Sequence, residues 1–122
     1  MDFIIYGLLI SLIAWFFVGR MMPAKGVRQI STAELKDLLK EKKAYEFIDV
    51  RTPQEFKMNH IRGFKNIPLQ RLVNRQGELS KDKEIVVICQ SGARSNNATK
   101  MLKKVGFTKL ANVKGGISTW RN

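Results

Sequence analysis

A second cysteine is missing from this 122-residue chain, as is a second histidine. Cys89 therefore has no disulfide partner within the chain. His60 and Cys89 together cannot assemble the ligand sets that structural or catalytic zinc requires, so no metal or other cofactor is expected. Acidic residues are also scarce, with 10 against 22 lysines and arginines and a net charge of +12. Charge of either sign is absent between Asp2 and Arg20, where Phe3 to Val18 is apolar except for Tyr6, Gly7 and Ser11. The remaining polar-surfaced portion, about 100 residues, is large enough for one packed core and too small for two.

The uncharged segment is slightly short for a membrane span, which takes about 20 apolar residues. Met21, Met22 and Pro23 lengthen it, and Arg20 near its end can snorkel to the headgroups. Tyr6 and Trp15 are amphipathic side chains suited to interfacial zones. A cleaved signal would begin with basic residues and end in a small-residue site. Here the start is acidic and no such site follows Val18. A buried or interfacial helix is the remaining alternative. Residues 1–23 are expected to form a retained transmembrane anchor, 24–28 a basic linker, and 29–122 the folded domain. Arg20, Lys25 and Arg28 follow the span while only Asp2 precedes it, which places the domain on the cytoplasmic side. A lone cysteine agrees with that compartment. Arg20 and Asp2 cancel, so the whole +12 belongs to the domain. The basic residues are scattered and no nucleic-acid-binding motif accompanies them, so no nucleic acid is expected. Attraction of a tethered domain to an anionic leaflet accounts for the charge.

Within the domain, Val27–Ile30 reads as a short strand. Ser31 to Glu34 is a capping box opening a helix to about Lys40, with Leu35, Leu38 and Leu39 on one face. Phe47 to Val50 reads as a buried strand, and Thr52-Pro53-Gln54-Glu55 starts a second capped helix. Asn59 and Gly63 bracket a loop, and Asn66-Ile67-Pro68 leads into a short helix carrying Leu69, Leu72 and Val73. Glu84 to Ile88 is a β-branched run suited to a strand covered on both faces. A helical pattern runs from Ser95 to the stop at Gly106, followed by a strand over Leu110–Val113, a Gly115-Gly116 turn and a last helical turn over Ile117–Trp120. Strands alternating with helices predict an α/β fold with a central parallel sheet between helical layers.

Cys89 ends the buried strand and Gln90-Ser91-Gly92-Ala93-Arg94-Ser95 leads into the next helix. Ligands of open α/β sheets sit at such carboxyl ends of strands. A loop wrapped around a helix N-terminus turns backbone N–H groups and the positive end of the helix dipole toward its centre. Gly92 permits the backbone conformation this needs, and Arg94 adds a cation at the rim. All three influences favour a thiolate nucleophile at Cys89.

These segments resemble the rhodanese-like family of sulfurtransferases over about residues 27–122. The resemblance is carried by Phe47-Ile48-Asp49-Val50-Arg51 with Glu55-Phe56, and by His60-Ile61-Arg62-Gly63 with Asn66-Ile67-Pro68. Cys89 to Ser95 and Gly115-Gly116-Ile117-Ser118-Thr119-Trp120 complete it. It implies that Cys89 carries a persulfide bound by the loop Gln90, Ser91, Gly92, Ala93, Arg94 and Ser95. Asp49, Arg51 and Glu55 would be structural support, with Arg51 and Glu55 paired near the site, and Trp120 would belong to the core. Asn59 and Phe64 depart from the family's usual glycine and alanine, away from the loop. His60 would serve a turn rather than catalysis.

The implied activity is a double displacement in which a donor such as thiosulfate or a persulfide gives sulfur to Cys89. A thiol or cyanide acceptor then removes it. With no second cysteine to resolve the persulfide, delivery must be to another molecule, a small thiol or a protein cysteine. Two other classes compete. Cysteine phosphatases also cradle an oxyanion in a strand-to-helix loop, but with C-x5-R spacing rather than the C-x4-R found here. A non-catalytic membrane-tethered binding module is the second, though such modules typically lose the cysteine that this chain keeps.

Overall fold

The β-branched run Ile85 to Ile88 builds the centre of the molecule. In the computed structural model, which describes residues 2–121 but not the side chains of Arg20 and Met21, it forms strand β4 (Glu84–Ile88). The snorkelling expected of Arg20 thus lies outside the described side chains. Every β4 residue after Glu84 is buried, as the lack of polar alternation requires when both faces are covered. Around it lie β1 (Arg28–Ile30), β2 (Tyr45–Asp49), β3 (Lys65–Asn66) and β5 (Leu110–Val113), in the order β1-β5-β4-β2-β3. All four pairings are parallel, so each connection crosses over a face of the sheet.

The period-two geometry of β4 divides the core. Ile85, Val87 and Cys89 face one side with Ala98 and Leu102 of helix α4 (Ala93–Lys104). Val86 and Ile88 face the other with Leu35 of helix α2 (Thr32–Leu38) and with Phe47, Ile61 and Phe64. Phe56 of helix α3 (Pro53–Met58) packs against that second cluster. Both capping boxes are present. Ser31 and Thr52 accept from the N–H groups of Glu34 and Glu55, whose carboxylates reach back to the capping residues.

Several boundaries differ from expectation. Lys65–Asn66 pairs with Ile48–Asp49 as an edge strand instead of extending a loop. The short helix expected around Leu69 is two 3-10 turns, Leu69–Arg71 and Gln76–Glu78, and the closing turn Gly116–Thr119 is also 3-10. Helix α4 begins at Ala93, because left-handed Gly92 serves as its N-cap.

Helix α1 (Asp2–Met21) precedes the sheet. Its window Asp2–Gly19 has a mean hydropathy of 2.0 and is 0% buried against the rest of the chain. The helix is long and apolar enough to cross a membrane, and it does not supply core to the domain.

Candidate active site

Cys89 follows the last residue of the central strand and shares the α4 side of the core. It is 1% exposed. Gly92, at φ +105°, turns its N–H inward to donate to Cys89 Sγ at 3.0 Å. A residue with a Cβ adopts that backbone conformation at a cost. Ser95 Oγ lies 3.3 Å from Sγ and 3.1 Å from the Gly92 carbonyl. The serine has one proton for two acceptors. It bonds Gly92 O while the thiol donates to Oγ, or turns to Sγ when the sulfur is a thiolate. Gly92 has no side chain to occupy the first-turn N–H groups of α4, so the positive end of the helix lies open toward the loop. Gln90, Ser91 and Ala93 form the exposed rim.

The loop's outward carbonyls are held from the far end of the chain. Ile117 and Ser118 donate their N–H groups to the carbonyls of Cys89 and Gln90 at 2.9 and 3.0 Å, and Ser118 Oγ adds 2.7 Å to Gln90 O. With those oxygens fixed outward, the peptide N–H groups are directed inward. Gly116, at φ +56°, makes this possible, since a Cβ there would overlap the Cys89 carbonyl and lie 2.8 Å from that of Gln90. The Gly115-Gly116 turn is therefore a clamp on the nucleophile's loop, a role its sequence pattern did not disclose.

The three supporting residues separate into two ion pairs. Arg51 and Asp49 are 1% and 0% exposed. Arg51 Nε lies 3.1 Å from each Asp49 oxygen, and Nη2 2.9 Å from Oδ2. The remaining Arg51 donors reach the Asn59 carbonyl at 2.6 Å and Gln90 Oε1 at 3.3 Å. Asn66 Nδ2 closes the cluster on the Asp49 and Arg51 carbonyls at 2.9 Å each. A buried charge pair demands such further bonds. The expected Arg51–Glu55 pair is not formed. Glu55 instead takes Arg94 bidentately at 2.7 and 2.9 Å, because Asp49 at the end of β2 holds Arg51 in the interior. The bond to Arg94, followed by those from Thr52, holds the Glu55 carboxyl down at about 2, against an ordinary 4.5. The same pair raises the Arg94 guanidinium, with Cys89 a smaller attraction. Arg94 is thus a compensated cation, not the free one the sequence suggested.

Asn59 meets Arg51 chiefly through its main-chain carbonyl, which a glycine would also present, and its side chain adds only a 3.5 Å contact from Arg51 Nη1 to Oδ1. Phe64 is buried, its ring 5.3 Å from that of Phe47. His60 is exposed, with Nδ1 2.7 Å from the Phe56 carbonyl and its ring stacked on Phe56. Trp120 packs half-buried on the second core cluster.

A buried cysteine at a helix N-terminus, clamped by a carboxyl-terminal Gly-Gly turn beneath an α/β sheet, defines a class. The chain belongs to the rhodanese-like domain family, which residues 31–122 match. It is 44% identical over 75 residues to YqhL of Bacillus subtilis, an uncharacterized protein; the match spans 62% of this chain and 60% of that one. A sulfurtransferase of Allochromatium vinosum is 32% identical over 94 residues, covering 77% of this chain and 88% of its own. The crystal structure of a rhodanese-like domain protein from Staphylococcus aureus superposes with a TM-score of 0.72 at 31% identity, over 79% of this chain and 93% of that one. Named sulfurtransferases therefore stand among its relatives.

Proposed function

We propose that the chain is a sulfurtransferase that carries sulfane sulfur as a persulfide on Cys89. The observation behind this reading is the placement of Sγ, 3.0 Å from the Gly92 N–H and 3.3 Å from Ser95 Oγ at the open N-terminus of α4. In the first displacement the Cys89 thiolate attacks the outer sulfur of thiosulfate. The S–S bond of the donor breaks and sulfite leaves with the electron pair. A persulfide donor reacts alike, with its thiolate as leaving group. The terminal sulfur of the Cys89 persulfide then bears the negative charge, which inward N–H groups and the helix dipole stabilise. In the second displacement an acceptor thiolate, or cyanide, attacks that terminal sulfur and expels the Cys89 thiolate. The acceptor leaves as a persulfide or as thiocyanate, and no net oxidation of the protein occurs. Ser95 follows the charge by reorienting one hydroxyl proton.

The partners in this reading are a small anionic sulfur donor and a thiol acceptor, with no nucleic acid. Residues 1–23 serve as a retained single-pass anchor holding the domain on the cytoplasmic side, supported by the unburied α1, uncharged from Phe3 to Gly19, and the basic residues that follow. Intact mass of the full chain in detergent after thiosulfate treatment tests the activity. A gain of one sulfur atom, removed by cyanide and absent from Cys89→Ser, is the expected result. No gain with thiosulfate or with a persulfide donor would leave a tethered binding module.

A further inference from the structure

The chain's ten acidic residues all lie in its first 84 positions. Ile85 to Asn122, which contains the loop, α4 and β5, has seven lysines and arginines and no aspartate or glutamate. Phe3 to Ala33, which contains most of α1 and the linker, also has none. The fold brings these two acid-free stretches together. Asn96 Nδ2 on α4 donates to the Met22 carbonyl at 3.0 Å, one residue past the end of α1. Farther along α4, the Lys103 ammonium donates to the Lys25 carbonyl. A shallow cavity of about 520 Å³ at this junction is lined by Lys25, Lys100, Lys103 and Lys104. A neighbouring one of about 360 Å³ runs from Pro23 past Ser91 and Gly92 to Lys114. Five lysines therefore follow the path of the chain from the end of α1 along α4, and no acidic side chain lines either cavity.

The same helix carries the nucleophile's cradle. Asn96, which holds the end of α1, is one turn beyond Gly92, about 6 Å of helix rise. Arg94 contributes nothing to the net charge here, because Glu55 compensates it.

We propose that this lysine collar docks on an anionic phospholipid surface, which holds the mouth of the Cys89 loop at the level of the headgroups. The proposal rests on the reading of α1 as a membrane anchor. Lysine ammoniums on flexible stems suit headgroup phosphates, and each one near an anionic leaflet adds to the attraction. A nucleic acid fits the same charge less well, because the lysines lie beside the linker that follows an apolar helix. Donor and acceptor then reach Cys89 along the membrane surface.

The full chain is inserted in vesicles of phosphatidylglycerol or of phosphatidylcholine, exposed to a water-soluble amine-acylating reagent, and mapped by mass spectrometry. Alkaline carbonate extraction is run on both. Expected is retention in both vesicles, with Lys25, Lys103 and Lys104 acylated about fivefold more slowly in the anionic vesicles, the Boltzmann factor of one lysine's attraction to such a surface. High salt restores the rate, and the exposed Lys42 and Lys43, which follow α2 on the other face of the sheet, react alike in both lipids. Retention with equal labelling in both lipids, or with salt-insensitive protection in both, overturns the docking and leaves the anchor standing. Extraction by carbonate from both overturns the anchor reading and the docking with it.

Discussion

Glu55 and Arg94, 39 residues apart, face each other through two bonds of 2.7 and 2.9 Å that join the N-terminus of α3 to the first turn of α4. Each side chain is about one-third exposed, at 32% and 37%. Solvent screening keeps the contribution of such a pair to stability at about 1 kcal/mol or less. Its main effect falls on the field at the loop. Glu55→Gln keeps an oxygen for the Thr52 cap and releases a net positive charge, so the KM for thiosulfate should fall about fivefold at low ionic strength. Arg94→Ala strands a carboxylate beside the loop and should raise it by a similar factor. Steady-state kinetics on both variants give the two signs, and equal shifts in the same direction would contradict this account.

Acid stability follows from the same group. The Glu55 carboxyl titrates at about 2 in the folded chain, as does Glu78, which Arg75 and then Lys65 hold down from 4.5. A depressed folded value means that the unfolded chain binds protons first as pH falls. The stabilisation is complete above pH 4.5 and is lost from there toward pH 2. Thermal melts should be flat above about pH 5 and decline below it. The Glu55→Gln variant should decline less steeply; an unchanged slope would remove Glu55 from the cause.

Gly116→Ala should displace the active loop. The added methyl meets the Cys89 and Gln90 carbonyls, which are backbone atoms unable to rotate away, at a φ of +56°. Strain and overpacking of this kind cost about 2–4 kcal/mol. Persulfide formation should drop by more than about tenfold, the equivalent of about 1.4 kcal/mol in the transition state. Stopped-flow loading and a urea melt measure both quantities. Full loading at wild-type stability would show that the clamp is dispensable.

Arg51→Met leaves Asp49 charged and buried without its partner, at a cost of about 3–5 kcal/mol. The double variant Asp49→Asn, Arg51→Met should recover part of the loss, since no stranded charge remains. Urea unfolding of the four forms in detergent closes the cycle. Additive losses would mean that the two residues act independently.

Ser95→Ala removes a neighbour of Sγ, together with one hydroxyl bond to the carbonyl of the capping Gly92. Loss of one such bond is worth about 1 kcal/mol, or about fivefold in the loading rate. Thermal stability should change little, and a loading rate equal to wild type would exclude the serine from charge stabilisation.

Local pattern carried most of the architecture. Both capping boxes, the fully buried run of β4 and the strand Leu110–Val113 are dictated by residues adjacent in sequence. Cys89 stood out because its loop's pattern is contiguous. The partners of Arg51 and Glu55 did not, since the resemblance implied that they pair with each other and the fold supplies Asp49 of strand β2 and Arg94 of helix α4 instead. The Gly115-Gly116 clamp was equally hidden, because it depends on the chain's last turn folding back onto the end of β4. The two-residue ladder of β3 is too short to show periodicity.

Strand order also settles where a mechanical load goes. Tension from α1 passes the side-chain bonds of Asn96 and Lys103 to the linker and enters the sheet at β1, an edge strand of three residues joined only to β5. The strand that leads into Cys89 sits two places in from that edge, gripped on both sides by β5 and β2. A lateral pull from the membrane therefore peels the margin of the domain first, and the sulfur-bearing strand is among the last to yield.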